Sequence, residues 1–180
     1  MKEVNVMELV YYGCGIFVVA AFITDVRSMR IPNLLSLSAI ISGLIVHLCI
    51  GGFQGLLASI SGFGTGFGIM FVLYLAGAVG AGDVKIFGGI GAWTGVLFTV
   101  QAMVYSILIA GVIGLIILLW KKQLVQRLGK LILYIFGRVI PGIGLISSVH
   151  SYSPLKEGLR FPFMIAVLPG FISACGIYLL

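Results

Sequence analysis

The run IPNLLSLSAIISGLIVHLCIGGFQGLLASISGFGTGFGIMFVLYLAGAVGAG occupies residues 31–82 and contains no Asp, Glu, Lys or Arg. A transmembrane helix needs about 20 predominantly apolar residues, so this run is long enough for two spans. The glycine-rich residues 51–55 predict the break between them. Gly62 and Gly66 offer small faces at helical spacing, which suits close packing of helices in lipid. The run therefore predicts two neighbouring membrane helices.

The composition of the whole chain also indicates a membrane protein. Of its 180 residues, 61% are apolar and 9% are charged, whereas a soluble domain carries about 25% charged residues. Too few charges are present to cover a water-facing surface, which excludes most soluble enzyme folds and disordered proteins. The net charge of +6 does not indicate a nucleic-acid partner, because basic residues in a membrane protein more simply mark its cytoplasmic loops.

Three further charge-free runs predict the remaining spans. Residues 9–24 and 161–180 suffice for one span each. Residues 86–120 would form a helix about 52 Å long, against about 30 Å of hydrocarbon, so we expect a reversal at residues 93–95 with Trp93 at the interface. The sequence thus predicts an all-α, polytopic integral membrane protein with about six transmembrane helices, forming one domain over all 180 residues.

The basic residues predict the orientation of these spans. Arg27 and Arg30 follow the first span, Lys85 follows the third, and the basic segment 121–160 follows the fifth. These loops share one side of a six-span path, and the positive-inside rule places that side in the cytoplasm. Residues 131–149 are apolar enough to span, but a central arginine favours a cytoplasmic or interfacial segment. We expect a multi-pass protein of the inner or plasma membrane.

Two aspartates lie at this predicted cytoplasmic boundary. Asp25 ends the first span and Asp83 begins the fourth. Ionisable residues within membrane segments usually face a polar cavity and mark a functional site. Simpler structural roles are also open, since Asp83 could cap its helix and Asp25 could pair with Arg27 or Arg30. Charge position alone leaves the functional and the structural interpretations balanced.

The motifs around these aspartates resemble those of a known family. Asp25 is followed by basic residues and by Ile-Pro-Asn at residues 31–33. Asp83 ends Gly-Ala-Gly-Asp at residues 80–83, a GxGD motif, and Lys85 follows it. In this order and at matching helix ends, the two blocks resemble those of the type IV prepilin peptidases, membrane aspartyl proteases that include the archaeal preflagellin peptidases.

The resemblance implies an aspartic endopeptidase with Asp25 and Asp83 as its catalytic residues. Members cut a short leader from pilin-like precursors at the cytoplasmic face, just after a glycine. In such a pair one proton is shared, so one carboxylate activates a water while the other carboxyl donates to the scissile carbonyl. This chemistry requires no metal and no other cofactor. The expected partners are a prepilin-like precursor and membrane lipid, with a pilus or secretion apparatus left open.

The resemblance covers about residues 7–180, with a weaker match at Phe-Pro-Phe, residues 161–163. The large bacterial members carry an extra N-terminal cytoplasmic region with paired C-x-x-C motifs, which is associated with N-methylation of the new pilin N-terminus. Here the cysteines are Cys14, Cys49 and Cys175, and no such pair exists. The chain therefore resembles the minimal form of the family, and methyl transfer is not expected.

Five residues near the aspartates are candidates for binding substrate or supporting the site. Gly80 and Gly82 allow close approach of the backbone, and Gly82 is expected to need a positive φ or to contact substrate. Lys85 either extends to the interface or contacts the aspartates or substrate. Asn33, which follows Pro32, either caps the second span or holds a catalytic loop.

Two other classes of function fit the same residues. A small proton-coupled transporter or channel would use Asp25 and Asp83 as a proton relay. A structural assembly factor of a secretion complex would need neither carboxylate for chemistry. Neither alternative cuts a peptide, so precursor cleavage distinguishes the peptidase from both. A proton relay is further expected to retain its function after Asp→Glu substitution.

Overall fold

The structure is a computed structural model that describes residues 2–120 and 162–179. All regular structure in these residues is helical, as the sequence predicts. Three of the helices contain stretches long and apolar enough to cross a membrane, and one is a shorter apolar helix. These features indicate a membrane protein, while the count of six spans stays a prediction. The helices are α1 (Lys2–Ser28), α2 (Asn33–Leu75), α3 (Ala81–Trp120) and α4 (Met164–Leu179).

Helix α2 is broken at Gly52, within the predicted break. Gly52 has φ 56° and ψ −143°, a conformation that a residue with a Cβ rarely adopts. Residues 33–51 run parallel to the start of α3, because Asn33 bonds Lys85 and Trp93 bonds Ala39. Residues 53–75 run the other way, since Ser59 bonds the carbonyl of Ala92 and Gly66 lies against Phe87. The chain therefore reverses at Gly52.

Helix α3 is broken at Gly95, which confirms the break predicted at residues 93–95. Gly95 has φ 77° and ψ −175°. The Thr99 hydroxyl donates to the carbonyl of Gly95 over 2.6 Å, so a side chain satisfies a carbonyl at the break.

The prediction that Trp93 lies at the interface is wrong. Its side chain is 7% exposed, and its Nε1 donates to the carbonyl of Ala39 over 2.8 Å. His47 Nε2 donates to the Trp93 carbonyl over 2.6 Å. The ring lies over Gly13 of α1, where a Cβ would be 2.5 Å from it. Trp93 is buried because α1 provides a glycine at the point of contact and α2 provides an acceptor for its N–H.

Helices α1 and α4 are antiparallel neighbours. Asp25 bonds the start of α4 at Met164, while Gly15 packs against Phe171 further along. Buried apolar side chains fill the space between the helices, among them Val18, Phe87, Phe98, Met164 and Val167. This arrangement brings together the end of α1 and the starts of α2, α3 and α4.

The chain divides into two compact units, one of residues 1–110 with 161–180 and one of residues 111–160. The described part of the second unit is residues 111–120, the last turns of α3. The predicted cytoplasmic or interfacial segment 121–160, with its alternative span at 131–149, lies outside the described residues. The prediction of a single peptidase domain therefore stays a prediction.

Candidate active site

Asp25 lies in the last turns of α1 and is 7% exposed. Its Oδ2 accepts the backbone N–H of Met164, the first residue of α4, over 3.1 Å. The first N–H groups of a helix have no partner within the helix, so the carboxylate satisfies a donor that α4 leaves free. Asp25 does not pair with Arg27 or Arg30, which was the structural alternative considered from the sequence, and both arginines are exposed.

Asp83 lies in the first turn of α3 and is also 7% exposed. Its Oδ2 accepts the backbone N–H of Gly80 over 3.0 Å. This is the contact that an acidic side chain in the first turn makes back to the capping residue of its own helix. The capping role considered from the sequence is therefore present. Because a carboxylate has a second oxygen, capping through Oδ2 does not exclude chemistry at Oδ1.

The two predicted aspartates lie at the same end of the helical bundle, close enough that their charges repel. Two carboxylates buried near each other are harder to ionise together than either one alone. Each one accepts an N–H at the start of a helix, where negative charge is favoured. Two neighbouring carboxyl groups can perform acid–base chemistry on a water molecule when one is ionised and the other is protonated.

Lys85 and Asn33 contact each other. Lys85 Nζ donates to Asn33 Oδ1 over 2.7 Å, which joins the first residue of α2 to the second turn of α3. Of the two roles predicted for Asn33, capping of α2 is wrong, because Pro32 holds the cap position and no side chain caps this helix. The Asn33 side chain is turned toward Lys85 instead.

The motif glycines Gly80 and Gly82 leave room for neighbouring side chains and do not adopt a positive φ. Gly82 lies inside the first turn of α3 and has no positive φ, so that part of the prediction is wrong. In the connection between α2 and α3, the residue with a positive φ is Gly77, at 75°. A Cβ on Gly82 would lie 3.2 Å from the Cβ of Ile31, and one on Gly80 would lie 3.1 Å from Asp83 Oδ2. Both glycines leave room for side chains of the site.

The sequence did not single out two participants in this arrangement. Ile31 packs on Gly82, and the only sequence signal was its place in Ile-Pro-Asn. The N–H of Met164 is a main-chain group, and its only signal was the neighbouring Phe-Pro-Phe. Within residues 2–120 and 162–179, no group of three or more His, Cys, Asp or Glu side chains could hold a metal ion.

Comparison with known proteins identifies the family. Residues 12–119 match the type IV leader peptidase family. The prepilin leader peptidase/N-methyltransferase of Pectobacterium carotovorum subsp. carotovorum is 27% identical over 145 residues, 72% of this chain and 50% of the relative. The chain thus spans about half the length of that curated relative. No solved structure matches this chain. Since the family match covers most of the chain and includes both aspartate motifs, the protein belongs to the type IV leader peptidase family.

Proposed function

We propose that this protein is an aspartic endopeptidase that removes the short leader peptide from type IV pilin-like precursors. The observation that carries the proposal is the pair of buried carboxylates, Asp25 and Asp83, held at one end of the bundle in a member of a leader peptidase family. The printed name of the Pectobacterium relative, a prepilin leader peptidase, supports the choice of substrate.

The proposed mechanism uses the two carboxyl groups in opposite protonation states. The carboxylate takes a proton from a water molecule, whose oxygen bonds to the scissile carbonyl carbon. The carboxylic acid gives its proton to the carbonyl oxygen. Collapse of the tetrahedral intermediate breaks the C–N bond, and the leaving nitrogen receives a proton from the carboxyl that took one from water. As the carbonyl re-forms, the other carboxylate takes back a proton from a hydroxyl of the intermediate, which returns the pair to its starting state.

We place this chemistry at the cytoplasmic face of the cell membrane, in a six-span chain. Exposed Arg27 and Arg30 lie at the end of the bundle that carries the aspartates, and basic residues favour the cytoplasmic side. The breaks at Gly52 and Gly95 support the reversal of both long helices. Anionic lipid headgroups are the expected neighbours of these arginines. A pilus or secretion apparatus is a further proposed partner.

Substitution of each aspartate tests the mechanism. Asp25→Asn and Asp83→Asn should each lower precursor cleavage by at least about 10³-fold, since either change removes the carboxylate or its proton-donating partner. The double variant should be no worse than the singles. Cleavage is measured by co-expression with pilin-like precursors encoded beside the gene, at equal membrane abundance. Glu8→Gln is the matched control, because Glu8 lies near the opposite end of α1.

Two outcomes would contradict this proposal. Substantial processing by either single variant would exclude a two-carboxylate mechanism. A parent protein that cuts no precursor but carries protons across vesicles would favour the proton-relay alternative.

Cysteine labelling tests the proposed orientation. In a chain whose own cysteines are replaced by alanine, Gln54→Cys should react with an impermeant maleimide added outside the cell, and Ser28→Cys should not. Both positions are exposed and lie at opposite ends of the bundle. Labelling of position 28 but not of position 54 from outside would invert the orientation.

A further inference from the structure

We propose that Lys85 and Asn33 are positioning residues that hold the loop after Asp25 against the turn that carries Asp83. This inference rests on the proposed function. The pair is joined by the 2.7 Å hydrogen bond from Lys85 Nζ to Asn33 Oδ1. We call this contact the Lys85–Asn33 bridge. Neither residue is assigned contact with substrate or with the reacting atoms.

The bridge is not the contact that either side chain would make by default. A lysine at a membrane boundary usually extends its ammonium group into water or among headgroups. Lys85 is instead partly buried and donates a hydrogen bond to the neutral amide oxygen of Asn33, an exposed residue of another helix. Hydrogen bonds with an ionised donor are stronger than those between neutral groups. The bridge therefore joins α2 to α3 and does not serve to cap either helix.

A second contact lies on the other side of Asp83. The side chain of Ile31 packs on Gly82, with three of its carbons 3.2 to 3.4 Å from where a Cβ on that glycine would be. Residues 31 and 33 thus contact α3 directly before Asp83 and two residues after it. The loop is therefore docked on both sides of this aspartate by independent contacts, one apolar and one polar.

The conformation of the loop indicates that it is held under strain. Met29 has φ 49°, the one positive φ of a non-glycine residue in the described part of the chain. Such a conformation is unfavourable for a side chain with a Cβ and persists only where the surrounding structure imposes it. Asp25 accepts the Met29 N–H through its carbonyl over 2.7 Å, which holds one end of the loop. The bridge holds the other end.

These contacts explain how the two carboxyl groups keep a defined separation. Asp25 lies one turn before the loop, and Asp83 lies between the two docking contacts. If the bridge is lost, the loop can relax at Met29 and the distance between the carboxyl groups is no longer fixed. Rates of reactions in active sites fall steeply when reacting groups shift by about 1 Å. The bridge should therefore affect turnover rather than the binding of substrate.

Kinetics of a purified full-length protein with a synthetic precursor test this inference. Asn33→Ala and Lys85→Ala should each lower kcat on the order of tenfold to a hundredfold while KM stays close to that of the parent. The double variant should match the singles, because both remove one bond. The exchanged pair, Asn33→Lys with Lys85→Asn, should restore most of the lost kcat. Arg27→Ala is the control, since it removes an exposed positive charge at the same end.

A second measurement does not depend on cleavage. Ile31→Cys with Gly82→Cys should form an intramolecular disulfide under mild oxidation, because the two β-carbons are adjacent. Loss of the bridge through Asn33→Ala should slow disulfide formation severalfold if the bridge docks the loop. The disulfide is quantified by the mass added when free thiols react with a maleimide polymer.

The outcomes separate this inference from the proposed function. Unchanged kcat in both single variants, a rise in KM alone, or additive effects in the double variant would overturn the positioning role. Unchanged disulfide formation without the bridge would overturn it as well, even if the parent cuts no precursor. A parent that is inactive on every precursor, with disulfide formation dependent on the bridge, would contradict the proposed function and leave the docking role supported.

Discussion

Two glycine-rich regions look alike in the sequence and differ in the structure. Residues 62–68 of α2 and residues 80–83 at the start of α3 both repeat glycine at every second position. In the first region, a Cβ on Gly62 would meet the carbonyl oxygen of Gly91 and lie 2.8 Å from the Cα of Gly95. In the second region, Cβ atoms would meet side chains. In these two regions, the glycines that face backbone allow helices to pack, whereas Gly80 and Gly82 leave room for side chains of the site.

The difference depends on whether the neighbouring atoms can move to admit an added methyl group. Backbone atoms of a helix are fixed by its hydrogen bonds, so two helices in contact through glycines must separate to admit a methyl group. A side chain can change rotamer or shift by a few tenths of an ångström. Even within the first region only alternate glycines are in contact, because Gly64 and Gly68 face open space. Glycine content alone therefore does not tell which glycines are essential.

The largest effect is expected from Gly62→Ala. The added methyl group would force α2 away from α3, which we expect to destabilise the protein by about 3 kcal/mol or more. Gly64→Ala, two residues away with nothing within 4 Å, should be neutral or stabilising by about 0.5–1 kcal/mol through helix propensity. Thermal denaturation of both variants in detergent, followed by size-exclusion chromatography, measures the difference. Equal midpoints for the two variants would show that backbone contact does not limit this interface.

A smaller and different effect is expected from Gly82→Ala. Its methyl group would lie 3.2 Å from Ile31, and that of the control Gly88→Ala would lie 3.1 Å from Phe63, so the two variants are similarly crowded. Both should fold. Only Gly82→Ala should lower precursor cleavage, roughly tenfold, because displacement of Ile31 moves the loop beside Asp83. Cleavage is compared at equal membrane abundance, and a greater defect at position 88 would show that the motif glycine serves packing alone.

Much of the architecture was predictable from the sequence, and the physical reason is simple. The length of an apolar run and the thickness of a bilayer require breaks in residues 31–82 and 86–120. Glycine is the residue that tolerates positive φ, so Gly52 and Gly95 fell within the predicted breaks. The order of spans also brought Asp25 and Asp83 to one end of the bundle. Two antiparallel spans separate them, so the chain returns to the side from which it started.

Tertiary structure decided which groups meet at that end. Asp25 bonds a main-chain N–H 139 residues away, and Lys85 bonds an asparagine 52 residues away. Such contacts depend on the rotation of each helix about its axis and on its axial offset from its neighbours. A helix that is apolar on all sides carries no periodic pattern from which that rotation could be inferred. For the same reason Trp93 proved buried rather than interfacial, and Gly82 proved to make room for Ile31 rather than to adopt a positive φ.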